Sequence, residues 1–156
     1  MTPYYSTPEK QQAYVQEALS WRGTAWRANS RAKGRVVDCG NLQAEIHKTT
    51  GALPASFVTP PVQSAVAGQR TLARMRQLLE PLPEFIELDL AAALIPGDML
   101  VFKVAGVEYH LAGYLGFIDG QHGMLCSSIT KLGVCYPNLK DPTWSRHITG
   151  LWRVVA

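Results

Sequence analysis

The chain has 156 residues and a formal net charge of +3, with 47% hydrophobic and 17% charged residues. This size and composition indicate one globular domain over residues 1–156 and exclude a disordered chain. No run of eighteen apolar residues is present, so membrane insertion is not expected. The small positive charge does not by itself indicate nucleic acid or another polyanionic partner.

The N-terminal segment MTPYYSTPEKQQ has no basic stretch followed by an apolar one, so no secretory signal peptide is predicted. The protein is therefore expected to work in the cytosol or to leave it by a route other than general export. Its three cysteines are an odd number without close pairs, which predicts at least one free thiol and no disulfide framework.

The first predicted element is a helix that begins at Ser6 or Thr7. Pro8 suits the first helical turn, and Ser6 and Glu9 have the spacing of a capping box. The helix is expected to end at Gly23. The apolar residues that recur at helical spacing, and so should be buried, are Tyr14, Val15, Ala18, Leu19 and Trp21.

A polar, basic loop over residues 23–35 separates this helix from a second one. The second helix is predicted over Cys39 to Thr50, and Gly51 is its C-terminal stop. A third, amphipathic helix is predicted over residues 69–80, and its buried residues are expected to be Leu72, Met75, Leu78 and Leu79.

From residue 96 the pattern changes to strands. A PGD turn precedes the strand MLVFKV, and a second strand, EYHLAGYLGFI, begins near Glu108 and ends before the turn DGQHG. The remaining predicted strands are MLCSS, GVCY and ITGLWRVV. Helices followed by an antiparallel sheet predict an α+β fold.

Cys39 is the candidate nucleophile, because it falls where the second helix begins. The unpaired N–H groups and the dipole at a helix N-terminus stabilise a thiolate. Gly40 leaves the backbone open to close approach by a substrate, and N–H groups there can hold an oxyanion. On this motif alone, the alternative is a small buried cysteine without a chemical role.

Among the four histidines, His110 is the candidate base, because it opens an apolar strand whose small residues let another element pack closely. His47 shares the helix of Cys39 but lies two turns away, roughly 12 Å along the axis. His122 falls in the predicted hairpin turn and His147 in an exposed C-terminal stretch. The alternative for His110 is a hydrogen-bonded core histidine.

Four segments occur in the order and spacing of the NlpC family of papain-like cysteine peptidases. They are GTAW (23–26), DCGNL (38–42), IPGDMLVF (95–102) and HLAGYLG (110–116). The ending GVCYPNLKDPTWSRHITGLWRV is similar to the phage-type branch of that family. The resemblance covers nearly the whole chain and implies a papain-like fold, with N-terminal helices packed on a C-terminal antiparallel β-sheet.

The resemblance also implies residue roles, with Cys39 as the nucleophile and His110 as the general base. Trp26 falls at the family's aromatic position, which lines the substrate cleft. Asp38 matches the residue that precedes the nucleophile and shapes that cleft, and Gly40 stands where the family usually has Ser. Members typically hydrolyse amide bonds in peptidoglycan stem peptides, often between D-glutamate and the diamino acid beside it.

In this family a third polar residue orients the base from the next strand. Here that position is most naturally Cys126, although a thiol is a poor hydrogen-bond acceptor. If the hairpin register shifts, the alternatives are Gln121, His122, Ser127 or a backbone carbonyl, and Asp119 is a further one.

The basic loop alternates with two tryptophans, Trp21 and Trp26, a pattern that elsewhere suggests single-stranded nucleic acid. We interpret it as a solvated face or as a positive rim that suits the carboxylates of a stem peptide, and no nucleic acid partner is expected. The basic residues concerned are Arg22, Arg27, Arg31, Lys33 and Arg35.

No metal site is expected, because Cys126 and Cys135 are nine residues apart without a close Cys or His pair. No glycine-rich phosphate loop follows any predicted strand, so no nucleotide cofactor is expected either.

The predicted function is that of a cysteine endopeptidase acting on peptidoglycan stem peptides. Two alternatives remain open: a non-catalytic or weakly active phage-tail or cell-wall-binding module of the same fold, and an acyl or amide transferase. The phage-type ending implies phage tail components as partners. It also implies action on the cell wall after delivery, from the bacterial cytoplasm or from a phage or prophage particle.

Overall fold

The computed structural model describes residues 1–59, 79–104 and 107–156. The helices within these residues include α1 (Pro8–Ser20), α2 (Cys39–Thr49) and the one-turn α3 (Pro142–Ser145). The strands are β1 (Ala25–Trp26), β2 (Arg31–Ala32), β3 (Val36–Val37), β4 (Phe85–Leu88), β5 (Met99–Val104), β6 (Val107–Ile118), β7 (Gln121–Ile129), β8 (Gly133–Cys135) and β9 (Ile148–Val154). The predicted helix over residues 69–80 lies outside the described residues, apart from its last two.

Helix α1 begins where the capping pattern placed it. Thr7 is its N-cap and accepts the Lys10 N–H at 3.4 Å, and Pro8 is its first residue. The helix ends at Ser20, before the expected stop. Gly23 instead adopts a positive φ of 86° in the turn that follows.

Six strands form an antiparallel sheet in the order β4-β9-β5-β6-β7-β8. The pairing of β5 with β6 sets Phe102 opposite His110. Asp119 and Gly120, both with positive φ, form the turn between β6 and β7. Strands β1, β3 and β2 form a separate three-stranded sheet, with β1 and β2 in the segment that was expected to be a loop and β3 directly after it.

Apolar side chains cover both faces of the six-stranded sheet, because successive residues of a strand point to opposite sides. One face packs against α1 and α2 through a cluster that includes Leu42 and Leu111. Gly113 allows this close packing, since a Cβ there would collide with the Tyr14 hydroxyl and the Gln43 side chain. The second cluster contains Leu100, Phe102, Ala112, Leu125 and Leu151, with Trp144 of α3 packed against it.

A partly buried ion pair fixes the PGD turn to β9. Asp98 is 1% exposed, and its two carboxylate oxygens accept hydrogen bonds of 2.8 and 2.7 Å from the Arg153 guanidinium. The same carboxylate accepts the Ile95 N–H at 2.8 Å. Two parallel hydrogen bonds fix the relative orientation of the carboxylate and the guanidinium as well as stabilising the pair. The start of β5 is therefore held firmly against β9.

The predicted α+β fold is confirmed, and β5 has the bounds of the predicted strand MLVFKV. Strand β4, helix α3 and the three short strands between α1 and α2 were not predicted. That the whole chain is one domain stays a prediction. None of the helices in the described residues is long and apolar enough to cross a membrane.

Candidate active site

Cys39 is the first residue of α2, and Asp38 is the N-cap that starts this helix. Asp38 Oδ1 accepts the Asn41 N–H at 2.8 Å, and Oδ2 accepts the Asn41 side-chain amide at 3.0 Å and the Asn29 N–H at 2.6 Å. Three donors therefore engage a carboxylate that is only 7% exposed. Asp38 holds Cys39 in place at the helix start.

The Cys39 thiol is half-buried and lies within hydrogen-bonding range of the β6 backbone. Burial, followed by the negative charge of Asp38, raises the thiol pKa from 9.0 to about 11. Nearby N–H groups oppose this rise, and the N–H of Leu111 has the largest lowering effect, ahead of those of Gly40 and Cys39 itself. The thiol is protonated at neutral pH and needs a base to become a nucleophile.

His110 reaches the same residue of β6 through a hydrogen-bonded serine. Its Nε2 lies 2.7 Å from Ser127 Oγ, and Ser127 Oγ donates to the Leu111 carbonyl at 3.1 Å. A hydroxyl has one proton, so this arrangement makes Nε2–H the donor to Ser127 and leaves the lone pair on Nδ1. We call these four residues, Cys39, His110, Leu111 and Ser127, the Leu111 cluster.

Cys39 and His110, the two residues chosen from the sequence, are each linked to the backbone of Leu111, His110 through Ser127. The thiol of Cys39 approaches the N–H of Leu111, and the His110 ring is tied to the carbonyl of the same residue through Ser127. A thiol, an imidazole and backbone N–H groups at a helix start are the parts that acyl transfer through a thioester requires.

Aromatic rings surround the other side of His110. The ring centroid of Trp144 lies 5.5 Å from that of His110, and the Phe102 centroid lies 6.1 Å away. His110 is 9% exposed, and burial lowers its pKa from 6.5 to about 4. The imidazole is neutral at pH 7, the form that can accept a proton.

Ser127, not Cys126, hydrogen-bonds to the His110 ring. Cys126 pairs with Gly113 on the sheet face that packs against the helices, and its sulfur lies 3.9 Å from the Ala18 carbonyl oxygen. Adjacent residues of a strand point to opposite faces, so Cys126 cannot share the position of Ser127. The structure therefore corrects the sequence-based choice of Cys126 as the orienting residue.

The other two alternatives, Gln121 and His122, lie at the far end of the hairpin. Gln121 pairs with Ile118, eight residues along β6 from His110, which corresponds to about 26 Å of strand. His122 is exposed, and its ring centroid lies 4.7 Å from that of Phe117 with the planes tilted by 54°. Neither position can orient the His110 ring.

Trp26 and Gly40 lie close to Cys39 along the chain and across the small sheet. Trp26 is 37% exposed and pairs with Val37, two residues before Cys39. A Cβ at Gly40 would meet only ordinary contacts, such as Asp38 Oδ1 at 3.8 Å, so packing leaves room for the Ser that the resemblance implies there. The substrate-binding roles of Trp26, Asp38 and Gly40 stay predictions.

All three cysteines are free thiols. Within the described residues, no group of three or more His, Cys, Asp and Glu side chains is arranged to hold a metal ion.

No protein-family model matches this chain, and no curated protein matches it significantly. Its structure is similar to the crystal structure of a Staphylococcus aureus protein described as "similar to lipoprotein, NLP/P60 family", with a TM-score of 0.67 and 20% sequence identity. The superposition covers 100% of this chain and 45% of that one, so this chain spans less than half of that protein's length. The chain thus has the papain-like fold of that NLP/P60 family protein.

Proposed function

We propose that this protein is a cysteine peptidase that hydrolyses amide bonds in peptidoglycan stem peptides. Cys39 is the nucleophile and His110 the general base. The Leu111 cluster is the observation that carries this proposal, because it gathers a thiol and a neutral imidazole around one residue of β6 at the start of α2. The fold shared with an NLP/P60 family protein supports the cell-wall substrate.

In the proposed reaction, Nδ1 of His110 takes the proton of the Cys39 thiol as the sulfur attacks the substrate carbonyl. Backbone N–H groups at the start of α2 stabilise the oxyanion of the tetrahedral intermediate. The intermediate collapses as the C–N bond breaks, and the imidazolium returns its proton to the leaving amine. Water, deprotonated by the same imidazole, then hydrolyses the thioester and restores the thiol.

The resting pair is neutral, since the thiol pKa is about 11 and the imidazole pKa about 4. Proton transfer therefore accompanies attack, and no thiolate–imidazolium pair is stored beforehand. The acid limb of kcat/KM is expected near pH 4, below the ordinary histidine value, because His110 must be unprotonated to act as the base.

The proposal is tested by incubating purified peptidoglycan, or a synthetic stem peptide, with the wild type and with Cys39→Ala. Mass spectrometry of the released peptides should detect new amine and carboxyl ends with the wild type and none with Cys39→Ala. Cys135→Ala is the matched control, because it removes another partly buried thiol that belongs to β8 and not to the start of α2. Equal release by wild type and Cys39→Ala rules the mechanism out.

A second candidate is a non-catalytic module of the same fold that binds cell wall, as in a phage tail. The raised pKa of the Cys39 thiol favours this candidate, because an activated cysteine usually has a lowered one. It predicts that iodoacetamide modifies Cys39 no faster than a model thiol between pH 6 and 8. Rapid labelling of Cys39 below pH 7, located by mass spectrometry, would argue against it.

Transfer of the acyl group to an amine, in place of water, would use the same thioester. Product analysis with and without added amines separates transfer from hydrolysis. For the biological setting, we propose synthesis in the bacterial cytoplasm and delivery to the cell wall with a phage or prophage particle, on the resemblance of the C-terminal segment to the phage-type branch. Immunodetection of the chain in purified particles tests this setting.

A further inference from the structure

Helix α3 places Trp144 against the six-stranded sheet, and hydrogen bonds hold its backbone on both sides. Asp141 is the N-cap: its carboxylate accepts the Thr143 N–H at 2.9 Å, and its carbonyl accepts the Trp144 N–H at 2.9 Å. The His147 N–H donates to the Trp144 carbonyl at 3.1 Å, and the His147 carbonyl accepts the Lys103 N–H of β5 at 2.8 Å. The backbone of Trp144 is therefore fixed beside β5.

The indole of Trp144 contacts two other rings. Its centroid lies 5.2 Å from that of Phe102, with the planes at 89°, and 5.5 Å from that of His110, with the planes at 57°. Phe102 and His110 are paired across β5 and β6, and their own centroids are 6.1 Å apart. Each pair lies within the range at which aromatic rings attract one another. We call Phe102, His110 and Trp144 the ring cluster.

Trp144 is the outer member of the ring cluster. Phe102 and His110 are buried, whereas Trp144 is half-buried and the three other residues of α3 are exposed. The indole is therefore the part of α3 that covers the two buried rings. It separates the His110 imidazole from water on this side.

Ser127 and Trp144 restrict the His110 ring in different ways. The hydrogen bond of 2.7 Å between Nε2 and Ser127 Oγ holds one edge of the imidazole. The outer torsion of a histidine side chain has broad minima, so a single hydrogen bond leaves the ring room to turn. Packing between the indole of Trp144 and the ring of Phe102 removes that freedom.

Within the described residues, burial is the cause that lowers the pKa of His110, and no charged side chain contributes. The ionisable groups of β5 and around α3 are exposed, the Asp38 carboxylate is engaged by three N–H donors, and the nearby thiols are protonated at neutral pH. Removal of the indole should therefore bring the pKa of His110 closer to its ordinary value. The groups concerned are Lys103, Asp141, Arg146, His147, Asp38, Cys39 and Cys135.

Building on the proposed function, we propose that Trp144 is a positioning residue that holds the His110 imidazole in the orientation set by Ser127 and shields it from water. The base is then unprotonated and in place when Cys39 attacks. Trp144 acts through His110 and needs no contact with the substrate.

The test follows the His110 ring by NMR, which needs no turnover. The signal is assigned as the one absent from His110→Gln, and its pH titration is compared in the wild type, Trp144→Ala and Trp144→Phe. Trp144→Ala should raise the midpoint from near pH 4 by about one pH unit or more, because water reaches the ring. Trp144→Phe keeps an aromatic ring, is the variant expected to fold best, and should give an intermediate midpoint.

Leu139→Ala is the matched control, because Leu139 is also half-buried and packs against the same apolar cluster. Its N–H donates to the Gly123 carbonyl, four residues along β7 from Ser127, which corresponds to about 13 Å of strand. Leu139→Ala should lower the free energy of unfolding and leave the His110 midpoint unchanged. An unchanged midpoint in both Trp144 variants, or an equal rise in Leu139→Ala, overturns the inference.

Kinetics give a second measurement. At pH 8, where His110 is unprotonated in every variant, Trp144→Ala should lower kcat for the stem peptide about tenfold with KM within about twofold, because the ring orientation and not substrate binding is impaired. A higher KM with unchanged kcat would make Trp144 a substrate-binding residue and overturn the inference. If the wild type hydrolyses nothing, the proposed function fails, and the NMR titration still decides whether Trp144 shields His110.

Discussion

Two histidines are buried in this fold, and they differ in the groups that surround them. His47 is enclosed by Tyr5 and Tyr14; its Nδ1 lies 2.8 Å from the Tyr5 hydroxyl, and its Nε2 has no hydrogen-bond partner within the described residues. His110 is tied to Ser127 in the Leu111 cluster. Burial lowers both pKa values, to about 3 for His47 and about 4 for His110.

This comparison shows that a lowered pKa does not by itself distinguish the candidate base from a structural histidine. Burial alone shifts both rings in the same direction. What distinguishes His110 is its hydrogen-bonded serine, which ties the ring to the Leu111 backbone that the Cys39 thiol also approaches. Among the described residues, the rings of Tyr5, Tyr14 and Phe85 surround His47, which is the environment of a structural residue.

The largest difference between the two histidines is expected in catalysis. His110→Ala should lower the rate of stem-peptide hydrolysis by about 10²–10⁴-fold, because it removes the general base. His47→Phe should leave that rate within about twofold and lower the free energy of unfolding by about 1 kcal/mol, since the Tyr5 hydroxyl loses one partner. Peptide release and urea unfolding measure the two effects. A comparable loss of rate in both variants would show that the two histidines do not differ in their effect on catalysis.

Acid should destabilise the protein through the same two rings. In the unfolded chain each imidazole titrates near 6.5, whereas the folded values are about 3 and about 4. The unfolded state therefore binds more protons below pH 6.5, so the stability present above this pH is lost as the pH falls. Between pH 7 and pH 5 each of the two histidines should lower the free energy of unfolding by about 2 kcal/mol.

Urea unfolding at both pH values measures this loss, and His47→Phe should show about half of the wild-type decrease. An identical decrease in the two proteins would mean that His47 is not buried as a neutral ring.

The smallest of the three predicted effects is that of replacing Ser127, the serine that hydrogen-bonds to the His110 ring. Ser127→Ala should lower kcat/KM by about tenfold, because the His110 ring loses the partner that fixes its tautomer. Ser128→Ala is the matched control: it is equally buried, but its hydroxyl donates to the Val37 carbonyl at 2.8 Å. It should lower stability without lowering kcat/KM. A larger catalytic loss in Ser128→Ala would contradict the assignment of Ser127.

Features governed by local sequence could be predicted well. The Asp38–Cys39 helix start follows from capping chemistry within a few residues, and β5 follows from an apolar run after a turn. Strand β4 was missed because its four residues, between a proline and an aspartate, carry little periodicity and depend on pairing with β9. The arrangement of the basic loop as three strands also depends on partners distant in sequence.

The identity of the orienting residue depends on strand register, which local patterns do not report. The dipeptide Asp119–Gly120 is nevertheless a strong signal for a two-residue hairpin turn. Counting pairs outward from it sets Gly113 opposite Cys126, the observed pairing, and therefore puts Ser127 on the face of His110. The two register shifts along the hairpin cancel, so this count would have selected Ser127.

The position of β9 in the sheet has a consequence for how the chain folds during synthesis. β4 pairs with β9, and the N-terminal segment also joins that strand through the Tyr4 N–H, which donates to the Val154 carbonyl at 2.9 Å. Both partners emerge from the ribosome long before residues 148–154 do. An incompletely synthesised chain therefore exposes an unpaired strand edge, and closure of the sheet on this side waits until β9 has been released.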